Sequence, residues 1–201
     1  MVLVHGLWVN GFDMSLLRQR LRQAGYACHQ FSYNSVTCKP TENAEKLNNF
    51  VRAIDSATLH FVGHSLGGIV IRHLFHTCPQ QKPGRVVTLG TPHQESHVAR
   101  QLSAFYPGKL LLGKSAENGL TGELPAWDSS HELGSIAGSL QFGMGLVFTG
   151  LAKPNDGTVA VKETMLEGMK DHLTLDVSHF GLLLSRRASE AVIKFLHEGI
   201  F

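Results

Sequence analysis

The sequence predicts an α/β protein in which a mostly parallel central sheet carries helices on both faces. Short apolar runs rich in β-branched residues alternate with stretches whose apolar residues recur every three or four positions. Most of the apolar runs stop at a glycine-rich or polar loop. Strands and helices that alternate at this spacing are joined by right-handed crossovers, which make the strands parallel. We therefore expect one doubly covered sheet.

The first two strand–helix units lie before residue 60. Residues 2–4 form a buried strand that ends at His5-Gly6, and the following helix begins near Asp13, which can cap it, and ends at Gly25. Residues 26–33 form the second strand, and a second helix begins after Pro40. The apolar faces of the two helices consist of Met14, Leu17, Leu21 and Ala24 in the first and of Ala44, Leu47, Val51 and Ile54 in the second.

The next two strands lead into loops with distinctive sequences. Residues 59–62 form a strand that stops at Gly63-His64-Ser65-Leu66-Gly67-Gly68, and residues 69–76 continue as a helix. Residues 85–89 form the fourth strand, which ends at Gly90-Thr91-Pro92. Both loops follow the carboxyl ends of strands, where open parallel sheets bind their ligands.

Residues 94–138 do not show this alternation of strands and helices. They contain one helix near 97–105, followed by scattered prolines and glycines without a clear period, and ten of the 21 glycines fall between 108 and 157. We interpret 94–138 as an insertion within a single domain of residues 1–201, serving as a mobile lid or as a fixed pocket wall. The alternation resumes with an apolar run at 140–151, a strand at 173–177 and a last helix that buries Val192, Phe195 and Leu196.

Composition excludes several classes of protein. The chain has 201 residues, 43% of them apolar, and 18 Lys and Arg against 16 Asp and Glu leave a net charge of +2. This balance predicts neither disorder nor a nucleic-acid-binding surface. No apolar run approaches the 18 or so residues of a membrane span, and the first residues lack the pattern of a signal peptide. Three cysteines without CxxC spacing favour a reducing compartment. The expected location is the cytoplasm.

Residues 63–67 match the motif G-x-S-x-G between a strand and a helix, the context in which this motif presents a serine nucleophile. A serine needs a general base, and that base needs a carboxylate to orient it. His179 follows the strand at 173–177, and Asp156 lies in a polar turn after the preceding apolar run. Ser65, Asp156 and His179 have the chain order expected for this arrangement.

Other titratable residues compete for the roles of base and acid. His64 adjoins Ser65 in sequence, but we expect it to point away from Ser65 and to serve packing, as we expect His5 to brace its own loop. Asp176 lies on the same strand as His179, so its carboxylate would have difficulty reaching the His179 ring. Asp171 lies at the other end of that strand. Asp156 is the favoured acid.

An oxyanion requires two preorganised backbone donors. The amide of Leu66, directly after the serine, supplies one, and the loop after the first strand supplies the other, most simply through Leu7. Trp8 and Phe12 follow in that loop, where they either line an acyl pocket or belong to the core.

We expect neither a metal nor a cofactor. His93 and His97 have a spacing that can bind zinc on a helix, but Glu95 is out of register for H-E-x-x-H and no third ligand is evident. Ordinary packing or solvent exposure is the favoured interpretation of both histidines.

Taken together, these motifs resemble the lipase-like branch of the α/β-hydrolase superfamily, in particular small bacterial lipases and esterases. The resemblance runs in order through His5-Gly6-Leu7, residues 63–68, Gly90-Thr91-Pro92-His93, Asn155-Asp156-Gly157 and Ser178-His179. It implies a minimal α/β-hydrolase fold with Ser65 as nucleophile, Asp156 as acid, His179 as base, and Leu7 and Leu66 as oxyanion-hole residues. Calcium-dependent relatives carry acidic residues directly after the histidine, and here Phe180 and Gly181 follow, so no calcium is expected.

The expected activity is that of a serine carboxylester hydrolase, a lipase or esterase that acts on a small ester or lipid through an acyl-enzyme. Three alternatives stay open: a thioesterase or an acyltransferase with the same residues, and a non-catalytic interaction module that kept the fold. Apolar residues near 105–112 permit transient contact with a lipid surface, and core packing explains them equally well.

Overall fold

The computed structural model describes residues 1–142 and 150–201. Within them, a six-stranded sheet has the order β2-β1-β3-β4-β5-β6, and every neighbouring pair of strands is parallel. The strands are β1 (Val2–Val4), β2 (His29–Phe31), β3 (Phe61–His64), β4 (Val86–Leu89), β5 (Leu133–Gly138) and β6 (Asp171–Leu175). The predicted fold class is therefore confirmed.

Helices connect these strands in the predicted alternation. They are α1 (Ser15–Gln23), α2 (Pro40–Arg52), α3 (Leu66–Thr77), α4 (His97–Ser103), α5 (Tyr106–Leu112), α6 (Gly181–Leu184) and α7 (Arg186–Glu198). Shorter turns occupy Gly113–Ser115, Ala116–Leu120 and Val161–Thr164. No helix in these two described ranges is long and apolar enough to cross a membrane.

Each face of the sheet has its own buried core, because side chains alternate along a strand. On β3, for example, Phe61 packs into the core under α2 and α3, whereas Val62 packs into the opposite core under α1, α6 and α7. A third apolar cluster joins the start of α3 to α4 and α5 through Leu66, Ile69, Val98 and Leu102. This third cluster places α4 and α5 over the end of the sheet at which β3 stops.

Two details of the predicted elements are corrected, and a third lies mostly outside the described residues. The predicted insertion at 94–138 extends too far, because its last six residues form the sheet strand β5. Of the apolar run at 140–151, residues 143–149 lie outside the described residues, and the others are not in a strand. Asp13 does not cap α1, whose N-cap residue is Met14; the Asp13 carboxylate instead accepts a hydrogen bond from Gly11 N at 3.0 Å.

Candidate active site

Ser65 lies in a strained turn between β3 and α3, at the carboxyl edge of the sheet. Its backbone has φ 53° and ψ −124°, a conformation that is rare for a residue with a side chain. Such strain costs about 1–3 kcal/mol and persists only where the surroundings fix it. Here Ser65 N donates to Leu89 O of the neighbouring strand at 2.9 Å. The turn leaves the Ser65 side chain on the wall of a cavity.

His179 and Asp156 form a buried pair on the loops that follow β6 and β5. The distance from His179 Nδ1 to Asp156 Oδ2 is 2.7 Å, and His179 N donates to Asp156 O at 3.0 Å. Asp156 Oδ1 accepts hydrogen bonds from Thr158 N at 2.9 Å and Val159 N at 2.7 Å. Because the carboxylate accepts from Nδ1–H, the other ring nitrogen of His179, Nε2, is left to accept a proton. His179 lines the same cavity as Ser65.

The other candidate partners of His179, Asp176 and Asp171, lie away from its ring. Asp176 is exposed, and the Asp171 carboxylate accepts a hydrogen bond from Phe201 N at the opposite edge of the sheet. The contact with His179 therefore belongs to Asp156, as the turn position predicts.

The His64 side chain contacts the main chain of His179. Its Nε2 donates to His179 O at 3.2 Å, and its ring lies 4.8 Å from the His179 ring, centroid to centroid. Burial lowers the pKa of His64 well below its usual value, and the neighbouring His179 lowers it further. His64 is therefore neutral at pH 7 and packs between the loops.

The loop after β1 approaches Ser65 closely. A Cβ on Gly6 would lie 3.1 Å from Ser65 Cβ and 3.2 Å from His64 Nδ1, so a larger residue would have to push these side chains aside by a few tenths of an ångström. His5 braces the loop, since its Nδ1 bonds Gly6 O at 2.8 Å and its ring stacks on Tyr33 at 4.3 Å. Leu7 lines the cavity, and no residue within 1–142 or 150–201 accepts a hydrogen bond from its amide. Leu66 is the first residue of α3, so its amide lacks an intrahelical partner.

The cavity above Ser65 has a volume of about 470 Å³ and an almost entirely apolar wall. This size lies within the usual range for small-molecule sites. One side of the wall comes from α4, α5 and the turn after them, and its residues are Val98, Ala99, Leu102, Leu112 and Leu120. No sequence motif marks these residues as part of the site, although Val98 and Leu102 recur at helical spacing, which indicates a buried helix face.

The two aromatic residues proposed for the pocket differ in position. Trp8 lines the cavity, and its indole Nε1 donates to Leu111 O at 2.8 Å, which ties the loop after β1 to the end of α5. Phe12 is 80% exposed and is not among the cavity-lining residues. The interpretation of Phe12 as an acyl-pocket residue is therefore not supported.

His93 and His97 do not face a common ligand. His93 is buried, with Nε2 at 3.0 Å from Thr88 Oγ1, and His97 lies on α4 with Nε2 at 2.9 Å from Gln101 Nε2. In the part of the chain that the structure describes, no three His, Cys, Asp or Glu side chains are close enough together to hold a metal ion.

Comparison with known proteins identifies the family. The model of the palmitoyl protein thioesterase family matches residues 1–120, more than half of the chain. The chain belongs to this family. Curated protein sequences contain no significant match to it.

Solved structures show how widely the fold of this palmitoyl protein thioesterase family member is shared. Mature lipase BlEst2 of Bacillus licheniformis is 22% identical with a TM-score of 0.76, over 98% of this chain and 89% of that one. The metagenomic carboxyl esterase MGS0156 is 17% identical with a TM-score of 0.70, over 98% and 75%. Phospholipase PlaB from Legionella pneumophila is 13% identical with a TM-score of 0.73, over 97% and 59%. The resemblance to lipase-like α/β-hydrolases is thus confirmed.

Proposed function

We propose that this protein is a serine hydrolase that cleaves acyl esters with apolar acyl groups through an acyl-enzyme. The observation that carries the proposal is the 2.7 Å pair of His179 and Asp156, which opens into the same apolar cavity as Ser65 on its strained turn. The family match and the shared fold support a hydrolase of the esterase, lipase or thioesterase kind.

The proposed reaction uses each residue in one role. Ser65 Oγ attacks the substrate carbonyl while His179 Nε2 takes its proton, and the same nitrogen then gives that proton to the departing alcohol. Asp156 keeps the proton on Nδ1 and stabilises the imidazolium. The amides of Leu7 and Leu66 receive the oxyanion. Water repeats the cycle on the acyl-enzyme and releases the acid.

A thioesterase is the second candidate, and the family match favours it. The same residues serve both reactions, but a thiolate leaves more readily than an alkoxide because its conjugate acid is far stronger. A matched pair of oxygen and sulfur esters of one acyl group would separate the two candidates by their kcat/KM values. Product analysis with added alcohols would reveal acyl transfer.

The direct test is covalent labelling with a serine-directed organophosphonate. We expect one adduct per wild-type chain, mapped to Ser65 by peptide mass, and none on Ser65→Ala. The control is Ser103→Ala, since this α4 serine is not among the residues that line the cavity, and this variant should label like the wild type. Labelling that persists on Ser65→Ala would refute the nucleophile. A lack of turnover on a broad panel of esters and thioesters would favour a binding module.

A further inference from the structure

The end of β4 contacts both the proposed nucleophile and the proposed base. Leu89 O accepts the hydrogen bond from Ser65 N, and Thr91 Oγ1 donates to Ser65 O at 2.9 Å. Between them, Gly90 packs against the base, because a Cβ at Gly90 would lie 2.9 Å from His179 Nδ1. We call residues 89–91 the β4 platform. Of its three residues, Thr91 makes a side-chain contact that the reaction scheme above does not use.

The contact made by Thr91 acts on a peptide that the reaction needs. Ser65 C=O and Leu66 N–H belong to one planar peptide unit and point in opposite directions. Whatever holds the carbonyl therefore also fixes the direction of the N–H. Hydrogen bonds in a chain polarise one another, so a donor on the carbonyl makes the N–H a stronger donor. The Leu66 N–H is one of the two donors proposed for the oxyanion.

We propose that Thr91 is a positioning residue for the oxyanion hole. Its hydroxyl holds and polarises the Ser65–Leu66 peptide, which directs the Leu66 N–H at the negative charge that develops on the substrate oxygen. Only interactions that strengthen in the transition state raise kcat, and the oxyanion forms only there. The inference rests on the proposed function, because it requires Ser65 to be the nucleophile.

Gly68 provides an independent observation for the same arrangement. This glycine lies beyond the G-x-S-x-G motif, and that motif does not explain it. A Cβ at Gly68 would contact Thr91 Oγ1 and would lie 2.7 Å from Thr91 Cγ2, so a larger residue would displace the hydroxyl from Ser65 O. Gly68 N also donates to Ser65 O at 3.0 Å. The carbonyl therefore keeps one partner when the hydroxyl is removed.

Buried polar contacts fix the residues on either side of the β4 platform, Thr88 before it and His93 after it. Arg72, two turns after Ser65 on α3, donates from Nη1 to His93 O at 2.5 Å, and the His93 ring bonds Thr88 of β4. Arg72, Thr88, Thr91 and His93 are all buried, so water does not compete for these contacts. The hydroxyl of Thr91 is thus fixed relative to the Ser65 turn before substrate binds.

The test compares Thr91→Val with Thr91→Ser on a p-nitrophenyl ester. Valine has nearly the shape of threonine but lacks the donor, and we expect kcat to fall about tenfold, less than the 10² to 10³ lost with a direct oxyanion donor. KM should stay within about twofold, since the ground-state carbonyl gains little from this donor. Serine restores the hydroxyl and should recover most of kcat. Rates are expressed per reactive site, counted by organophosphonate titration.

Thr77→Val is the matched control. Thr77 also donates its hydroxyl to a carbonyl, His73 O at 2.9 Å, but at the far end of α3. This variant should keep the wild-type kcat. A Thr91→Val enzyme with unchanged kcat per titrated site would overturn the inference, and so would a loss that serine does not restore. Failure of the wild type to label at Ser65 would overturn the proposed function together with the inference.

Discussion

The Asp156 carboxylate accepts three hydrogen bonds, two from backbone amides and one from His179 Nδ1, and the residue is fully buried. A buried carboxylate without such donors would be costly, so the turn at 155–159 both solvates the charge and aims one oxygen at the imidazole. The turn therefore fixes the ring tautomer before a substrate arrives. This orientation is the contribution that the proposed reaction requires of the acid.

Asp156→Asn tests that contribution at nearly constant shape. An amide can donate toward Nδ1 and thereby favour the wrong tautomer, so we expect kcat to fall by about 10⁴. The fold should survive, because the remaining amide oxygen can still accept from Thr158 N and Val159 N. Steady-state kinetics and a thermal melt check the two expectations. A variant that keeps a tenth or more of wild-type kcat would rule out Asp156 as the orienting acid.

The sequence predicted which residues lie close together where closeness depends on position along the chain; their roles stay predictions. Ser65, Asp156 and His179 follow strand ends, and parallel topology brings such positions together. Thr91 was missed as a positioning residue because its partner, Ser65 O, lies 26 residues away, and no local pattern indicates that contact. Phe12 was assigned to the pocket on sequence proximity to Leu7, yet the chain turns it toward solvent.

At the scale of elements, β5 is the clearest failure of prediction. Its sequence, Leu-Gly-Ser-Ile-Ala-Gly, resembles a loop because glycine and serine are rare in strands. The structure supplies the reason for the small residues. A Cβ on Gly134 would lie 2.7 Å from the Phe195 and Phe201 rings, and one on Gly138 would lie 2.7 Å from Asp156 Cβ. The close approach of Phe195, Phe201 and Asp156 therefore explains why β5 carries glycine at positions 134 and 138.

The helices α4 and α5 form the wall that should select the acyl group. Ala99 lies on the cavity side of α4, whereas Ala104, at its end, is exposed. A larger residue at Ala99 would occupy cavity volume without opening the core elsewhere. The length of the accommodated chain should therefore depend on this helix face.

Ala99→Leu should shift the preference of the enzyme toward shorter acyl chains. We expect kcat/KM for the longest p-nitrophenyl esters to fall at least about tenfold, since a blocked apolar pocket loses about 1–3 kcal/mol of chain binding. The value for the acetate should stay within about twofold. Ala104→Leu adds the same bulk at the C-cap of this helix and should leave the chain-length profile as in the wild type. A parallel loss on all chain lengths would contradict this role of α4.

For the whole molecule, burial of histidines links stability to pH. Burial lowers the pKa of six of the twelve histidines, namely His5, His60, His64, His73, His93 and His172. Below their ordinary pKa of 6.5 the unfolded chain binds protons that the folded protein does not. Their contribution to stability is therefore complete above pH 6.5 and is lost as the pH falls. Burial raises the pKa of Glu163, so this one carboxyl opposes the trend.

The free energy of unfolding should accordingly fall between pH 7.5 and 5.5, and His93 offers the sharpest check. Burial lowers the pKa of His93 to about 3. Between pH 6.5 and about 3, His93 is therefore protonated in the unfolded chain but not in the folded protein. Each such group contributes about 1.4 kcal/mol per pH unit to the slope. Urea unfolding of His93→Gln should show a slope smaller by about one proton, while His76→Gln, at an exposed histidine, should match the wild type. Equal slopes for His93→Gln and the wild type would mean that another group carries the acid sensitivity.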